Sequence, residues 1–139
     1  MRLVIAITIS CVALWIGCAS QRSTTDRRES VDKHRPDWLP STAQMIFSSQ
    51  WEDGFLGDAT LKLKARVTES EFTGIVERLH LTPHAADRQY PDHPQWLGDK
   101  DARWDPPDSL TGAFVRFEGR WFQIAAYERG FLYYESVRY

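Results

Sequence analysis

The stretch Thr60-Leu-Lys-Leu-Lys-Ala-Arg-Val67 alternates strictly between apolar and polar side chains. Successive residues of a β-strand point to opposite faces of a sheet, so this period of two predicts a strand that is buried on one face. The apolar face is expected to carry Leu61, Leu63, Ala65 and Val67. The polar face is expected to carry Thr60, Lys62, Lys64 and Arg66.

A helix is predicted to follow this strand directly. Thr68-Glu-Ser-Glu71 has the spacing of a capping box, in which Thr68 bonds the third helical N–H and Glu71 reaches back. Apolar residues then recur at i, i+3, i+4 and i+7, which gives one apolar stripe on a helix of about three turns. The stripe consists of Phe72, Ile75, Val76 and Leu79. We expect it to pack on the apolar face of the strand.

The segments on either side predict further strands. Residues Met45 to Trp51 have a strand pattern, and Asp53-Gly54 after them is a strong hairpin signal. After Gly112, three strand patterns separated by short turns follow, at residues 113–118, 121–127 and 131–138. The order β-β-α-loop-β-β-β predicts an α+β domain: a single antiparallel sheet of about five strands with one helix packed on one face.

Residues 82–111 form a long segment that contains five prolines and two tryptophans. An irregular loop of this length is uncommon in a compact domain and is usually functional or mobile. Trp96 and Trp104 are candidates for docking it on the sheet. Its carboxylates are Asp99, Asp101, Asp105 and Asp108, and two of them facing each other would allow acid–base chemistry on a glycan. Alternatively, they are simply solvated.

Aromatic residues are concentrated in the last strands and must occupy both faces of the sheet, because neighbours such as Tyr133 and Tyr134 point in opposite directions. The face away from the helix is either covered by the long loop or exposed as a platform for a sugar, a peptide or a protein partner. The candidate binding residues are Trp104, Trp121, Phe122 and Tyr134. Basic residues near this face either suit an anionic partner or face water: Lys62, Lys64, Arg66, Arg116 and Arg120.

No motif for catalysis, metal binding or cofactor binding is found. His80 and His84 have the i, i+4 spacing of a metal site, but Pro83 stands between them and disfavours a continuing helix. Asp87, Asp92 and His93 follow within a short span, and we interpret the group as polar loop residues. The two cysteines lie within the first 18 residues, so the body has no thiol for a nucleophile or a zinc site. We therefore predict no catalytic residue, no metal and no cofactor.

Length and composition limit the function classes. The 139 residues suffice for one domain, and 42% hydrophobic and 26% charged residues are typical of a globular protein. The formal net charge of −2 gives no basic field that would attract nucleic acid. We therefore expect no nucleic-acid partner.

The first residues predict export. Arg2 is followed by an apolar run of fifteen residues that ends at Gly17, the layout of a signal peptide. Trp15-Ile16-Gly17-Cys18 resembles the lipobox of bacterial lipoproteins, although Trp15 stands where that family usually has Leu. The resemblance implies lipidation of Cys18 and a membrane anchor, and Ala19 resembles the signal for outer-membrane sorting. The alternatives are a plainly secreted or periplasmic soluble protein and an uncleaved anchor.

These features divide the chain into a signal peptide (1–17), a lipidated cysteine with a polar tether (18–36) and a small domain (37–139). The predicted function is that of an outer-membrane lipoprotein facing the periplasm, with a non-catalytic binding or structural domain and an envelope protein or glycan as possible partner. One alternative is an inhibitor or immunity-type protein that binds another protein. Another is a small envelope hydrolase that uses loop carboxylates or histidines.

Overall fold

The computed structural model describes residues 35–52, 54, 57–85 and 95–139. Over these residues the chain forms one antiparallel sheet and one helix, which confirms the predicted α+β class. The elements in chain order are β1 (Gln44–Glu52), β2 (Ala59–Arg66), α1 (Glu69–Arg78), β3 (Thr82–Pro83), β4 (Phe114–Glu118), β5 (Trp121–Glu128) and β6 (Phe131–Arg138). The order across the sheet is β1-β2-β6-β5-β4-β3.

The C-terminal strand β6 lies in the middle of the sheet. It pairs antiparallel with β2 on one side and with β5 on the other. All residues from Leu132 to Val137 are buried. A strand that is covered on both faces and paired on both edges makes the largest contribution to the core.

The sheet has six strands, one more than the sequence predicted. The additional strand β3 consists of Thr82 and Pro83, which pair with Val115 and Phe114 of β4. It falls at the start of the segment that we predicted to be a loop. Proline cannot donate to a strand ladder, so Pro83 is compatible only with the edge position that β3 occupies.

The capping box and the apolar stripe of the helix are confirmed. The Thr68 hydroxyl accepts the N–H of Glu71, and the Glu71 carboxylate accepts the N–H of Thr68. Phe72 and Ile75 are buried against Leu63, Ala65 and other residues of the sheet. The Phe72 ring lies 5.4 Å from the Tyr127 ring, and 5.7 Å edge-on from the Phe114 ring. We call this side of the sheet the helix face.

The opposite side of the sheet is covered by residues 95–112, which we call the covering loop. Leu97 and Leu110 of this loop pack on a buried cluster that includes Val115, Phe122 and Ile124. Of the two alternatives for this face, the structure shows cover rather than an exposed platform. We call this side the loop face, and the domain therefore has three layers.

Several predictions lie outside the described residues. These are the signal peptide, Cys18, the polar tether up to residue 34, Asp53 of the predicted hairpin turn, and Asp87, Asp92 and His93. Within the described part of the chain, no helix is both long enough and apolar enough to cross a membrane.

Candidate functional site

Trp104 anchors the covering loop to the sheet. Its side chain is 5% exposed, and its ring lies 5.7 Å from Phe47 of β1 and 6.2 Å from Tyr133 of β6. Trp96 packs edge-on against it at 5.8 Å. The Trp104 Nε1–H donates to the Leu97 carbonyl oxygen at 2.9 Å, which closes the loop on itself. Both tryptophans that we predicted to dock the loop therefore do so.

Two lysines of β2 hold the same loop through ion pairs. Lys62 Nζ lies 3.2 Å from Asp99 Oδ2 and also donates to the Gly98 carbonyl oxygen. Lys64 Nζ pairs with Asp105 and lies 4.8 Å from the centre of the Phe131 ring. Both lysines are 8% exposed. The alternatives of solvated lysines or lysines open to an anionic partner are thus incorrect for this pair, because the loop supplies their carboxylates.

The pKa values reflect these contacts. Burial alone would lower the pKa of Lys64, but hydrogen bonds to Asp105 and Tyr133 outweigh burial and raise it. The pKa of Asp99 is lowered, chiefly because its carboxylate accepts the backbone N–H of Asp101, with a further contribution from Lys62. Lys64 and Asp99 therefore remain charged across the neutral range.

Glu135 is a buried acid that the sequence analysis did not single out. It lies on the loop face of β6, has no exposed surface, and is paired in register with Lys62 and with Ile124. Its Oε2 accepts the N–H of Leu97 at 2.9 Å, while its Oε1 has no partner among the described residues. Burial raises the pKa of Glu135 to about 7, in spite of the Leu97 bond and the nearby Lys62.

Three of the four predicted binding residues lie inside the protein. Trp104 and Phe122 are 5% exposed and Tyr134 is 2% exposed. Trp104 and Phe122 are covered on the loop face, and Tyr134 packs on the helix face, where Trp38 lies 4.6 Å from its ring. A binding surface built from these three side chains is incompatible with their burial in this structure. The reason is that the covering loop and the segment around Trp38 fill the space that a partner would need.

Trp121 is the predicted binding residue that remains accessible, with 43% of its surface exposed. It lies at the start of β5 on the helix face, beyond the helix. A hollow of about 140 Å³ lies beside it, lined by Arg116, Glu118, Trp121 and Gln123. The guanidinium of Arg138 lies 5.8 Å from the centre of the indole ring. We call these five residues the Trp121 corner.

The polar groups of the Trp121 corner are held in place from several directions. Arg116 donates to the carbonyl oxygen of Leu79, the last residue of the helical stripe, and also pairs with Glu118. Gln123 Nε2 donates to the Tyr134 hydroxyl at 2.8 Å. Arg138 forms no salt bridge with a described carboxylate. The corner thus offers a flat aromatic surface, fixed hydrogen-bonding groups and a cation, Arg138, that forms no salt bridge with a described carboxylate.

The histidines do not form a metal-binding cluster in the described part of the chain. The helix ends at Arg78, and His80 follows with a φ of 54°. The backbone N–H of His84 donates to the Ala113 carbonyl oxygen beside β3. The described residues contain no group of three or more His, Cys, Asp or Glu that could hold a metal ion. His80 and His84 therefore do not share a helix, as the sequence predicted from Pro83.

Comparisons with known proteins found no relative of this chain. No family model matches the chain, and no match was found among curated proteins or solved structures. The class of protein is therefore defined by the fold alone: an α+β domain with a six-stranded antiparallel sheet.

Proposed function

We propose that this protein is an envelope lipoprotein, anchored through Cys18, whose domain binds a ligand at the Trp121 corner and catalyses no reaction. The observation that carries the binding proposal is the position of Trp121. A large aromatic ring lies exposed beside a hollow with fixed polar groups, whereas the other predicted binding aromatics are buried. Exposed Trp and Arg side chains are frequent anchors of binding energy.

Three of the four named loop carboxylates are paired with cations, which favours binding over hydrolysis. Asp99 pairs with Lys62, Asp101 with Arg103 and Asp105 with Lys64. A glycosidase needs two carboxyl groups that face each other across a substrate. Carboxylates that are each paired with a cation and hold a loop are better explained as structural groups.

The chemistry of the Trp121 corner fits an anionic glycan of the cell envelope. The indole ring offers a flat apolar surface for a sugar ring, and Gln123 and Glu118 offer hydrogen-bonding groups. Arg138 supplies a cation without a carboxylate partner among the described residues, which suits an acidic substituent of the ligand. An envelope protein with an acidic surface is the second candidate, because it would meet the same groups.

Binding is tested with purified peptidoglycan and the full-length protein in detergent. Trp121→Ala should reduce co-sedimentation about tenfold or more, since an aromatic anchor is lost. The matched control is Trp51→Ala, because Trp51 is also exposed, at 56%, but projects from the edge strand β1 on the loop face. Equal effects of the two changes, or none, would contradict the proposed site. Capture of a protein instead of the glycan would favour the inhibitor or immunity-type alternative.

The anchor is tested separately by mass spectrometry of protein extracted from membranes. In the wild-type protein we expect a mature N-terminus at Cys18 that carries a diacylglyceryl group. The Cys18→Ala variant should be released from the membrane or should fail to be processed. Several acyl chains on one residue hold a protein firmly, so the loss from membranes should be nearly complete. An intact Met1 in the wild-type protein would rule out this anchor without affecting the Trp121 corner.

A further inference from the structure

The carboxyl group of Glu135 lies beneath the covering loop in an incompletely satisfied environment. It is fully buried, and the backbone N–H of Leu97 binds one of its oxygens. The other oxygen has no hydrogen-bond partner among the described residues, and neither has the buried Nε1–H of Trp96 in the same loop. A buried carboxylate with one hydrogen bond is costly, whereas a neutral carboxylic acid in the same place is much less so.

The charges that face Glu135 do not compensate it. Lys62 faces it from β2 and Asp99 faces it from the covering loop, while its neighbour on β5 is the apolar Ile124. The ammonium group of Lys62 is already bound to Asp99 and to the Gly98 carbonyl oxygen. The lowered pKa of Asp99 keeps that carboxylate ionised. Ionisation of Glu135 therefore adds a second negative charge beside a single ammonium group.

We propose that Glu135 is a proton-controlled latch for the covering loop: the neutral acid holds the loop closed, and its ionisation releases the loop from the sheet. Release brings water to the carboxylate and removes the cost of burying its charge. It also uncovers Lys62, Lys64 and the aromatic residues beneath the loop. Because burial raises the pKa of Glu135 to about 7, the change falls near neutral pH, with the loop closed on the acid side.

This latch is independent of the proposed ligand site. Glu135 lies on the loop face, whereas the Trp121 corner lies on the helix face of the same sheet. Loss of glycan binding in Trp121→Ala would leave the latch intact, and absence of the latch would leave the Trp121 corner intact.

The test is amide hydrogen exchange of the full-length protein in detergent, followed by NMR between pH 5.5 and 8.5. Rates are divided by the intrinsic exchange rate at each pH. The protection of the Leu97 amide should fall about 30-fold across this range, as a pKa raised from 4.5 to about 7 requires. The core amides in β6 should remain far better protected than the Leu97 amide at every pH, because the loop opens without unfolding of the domain. A pH-independent protection of Leu97 would overturn the proposal.

Two substitutions assign the effect to Glu135. Glu135→Gln keeps a hydrogen-bond acceptor for the Leu97 N–H but has no proton to lose. The exchange protection of the Leu97 amide in this variant should therefore be independent of pH. Glu128→Gln, a half-buried glutamate on β5, is the matched control and should behave like the wild type. Persistence of the pH dependence in Glu135→Gln would overturn the latch.

A direct titration keeps the proposal testable if Glu135→Gln does not fold. The carbon chemical shift of the Glu135 carboxyl group in the wild-type protein should titrate near pH 7, and a midpoint near 4.5 would overturn the proposal. Asp99→Asn should lower the midpoint, since it removes the facing negative charge and leaves Lys62 to Glu135. An unchanged or higher midpoint in Asp99→Asn would contradict the charge balance on which the latch depends.

Discussion

Trp104 shows how one residue fixes the position of a long irregular segment. Its ring fills the space between Phe47 and Tyr133, and its indole N–H bonds the loop's own backbone. Such a side chain contributes both buried apolar area and a satisfied polar group. The loop therefore depends on Trp104 for its contact with the sheet.

Replacement of Trp104 by alanine should lower the free energy of unfolding by about 3–5 kcal/mol, because it leaves a cavity and an unpaired carbonyl at Leu97. Urea denaturation followed by circular dichroism measures the loss. Trp51→Ala is the control: Trp51 is 56% exposed, so its removal should cost less than about 1 kcal/mol. Similar losses for the two variants would show that the loop does not contribute to the fold.

At the scale of elements, the helix and the covering loop stabilise the sheet in different ways. The helix is defined by local signals, a capping box and an apolar stripe, and its contacts with the sheet are apolar. The loop is attached by aromatic packing and by ion pairs between Asp99 or Asp105 and lysines of β2. Changes of pH or ionic strength should therefore affect the loop more than the helix.

Phe72→Ala tests the helix contact. The ring is 7% exposed and packs against Tyr127 and Phe114, so we expect a loss of about 3–5 kcal/mol in the free energy of unfolding. Glu77→Ala, on the exposed side of the same helix, should change stability by less than about 0.5 kcal/mol. A loss below about 1 kcal/mol for Phe72→Ala would mean that the helix does not cover the sheet in solution.

For the whole molecule, the buried Glu135 makes stability depend on pH. Both folded and unfolded chains hold this proton below about pH 4.5, whereas between about 4.5 and 7 the folded chain alone retains it. The contribution of Glu135 to the free energy of unfolding is thus fully present in acid and is lost as pH rises to about 7. The loss is at most about 3 kcal/mol, and less if the covering loop opens before the domain unfolds.

Urea denaturation of the full-length protein at several pH values between 4.5 and 8 measures this dependence. As pH rises, the wild type should lose unfolding free energy relative to Glu135→Gln, because the variant has no carboxyl group to ionise at this position. A difference that is constant with pH would contradict the raised pKa of Glu135. Glu128→Gln is again the control and should follow the wild type.

The local patterns of the sequence determined most of the secondary structure and the helix face. The alternation in residues 60–67 defined which side chains of β2 point to the helix, and the capping box defined where the helix begins. These features depend on neighbours within about four residues, so periodicity and capping reveal them. The two-residue strand β3 escaped prediction because its pairing with β4 involves residues 31 to 33 positions further along the chain.

Tertiary structure alone decided which polar residues are buried and which aromatics are accessible. Alternation assigns Lys62, Lys64 and Glu135 to the loop face, but only the covering loop removes them from water. The ion pairs that make this burial possible join Lys62 to Asp99, 37 residues apart, and Lys64 to Asp105, 41 residues apart. Complementary charges were visible in the sequence, but nothing in it indicated which of the loop carboxylates meets which lysine. Burial depends on what packs from a distance, and for that reason only the folded structure distinguishes exposed Trp121 from buried Trp104 and identifies Glu135.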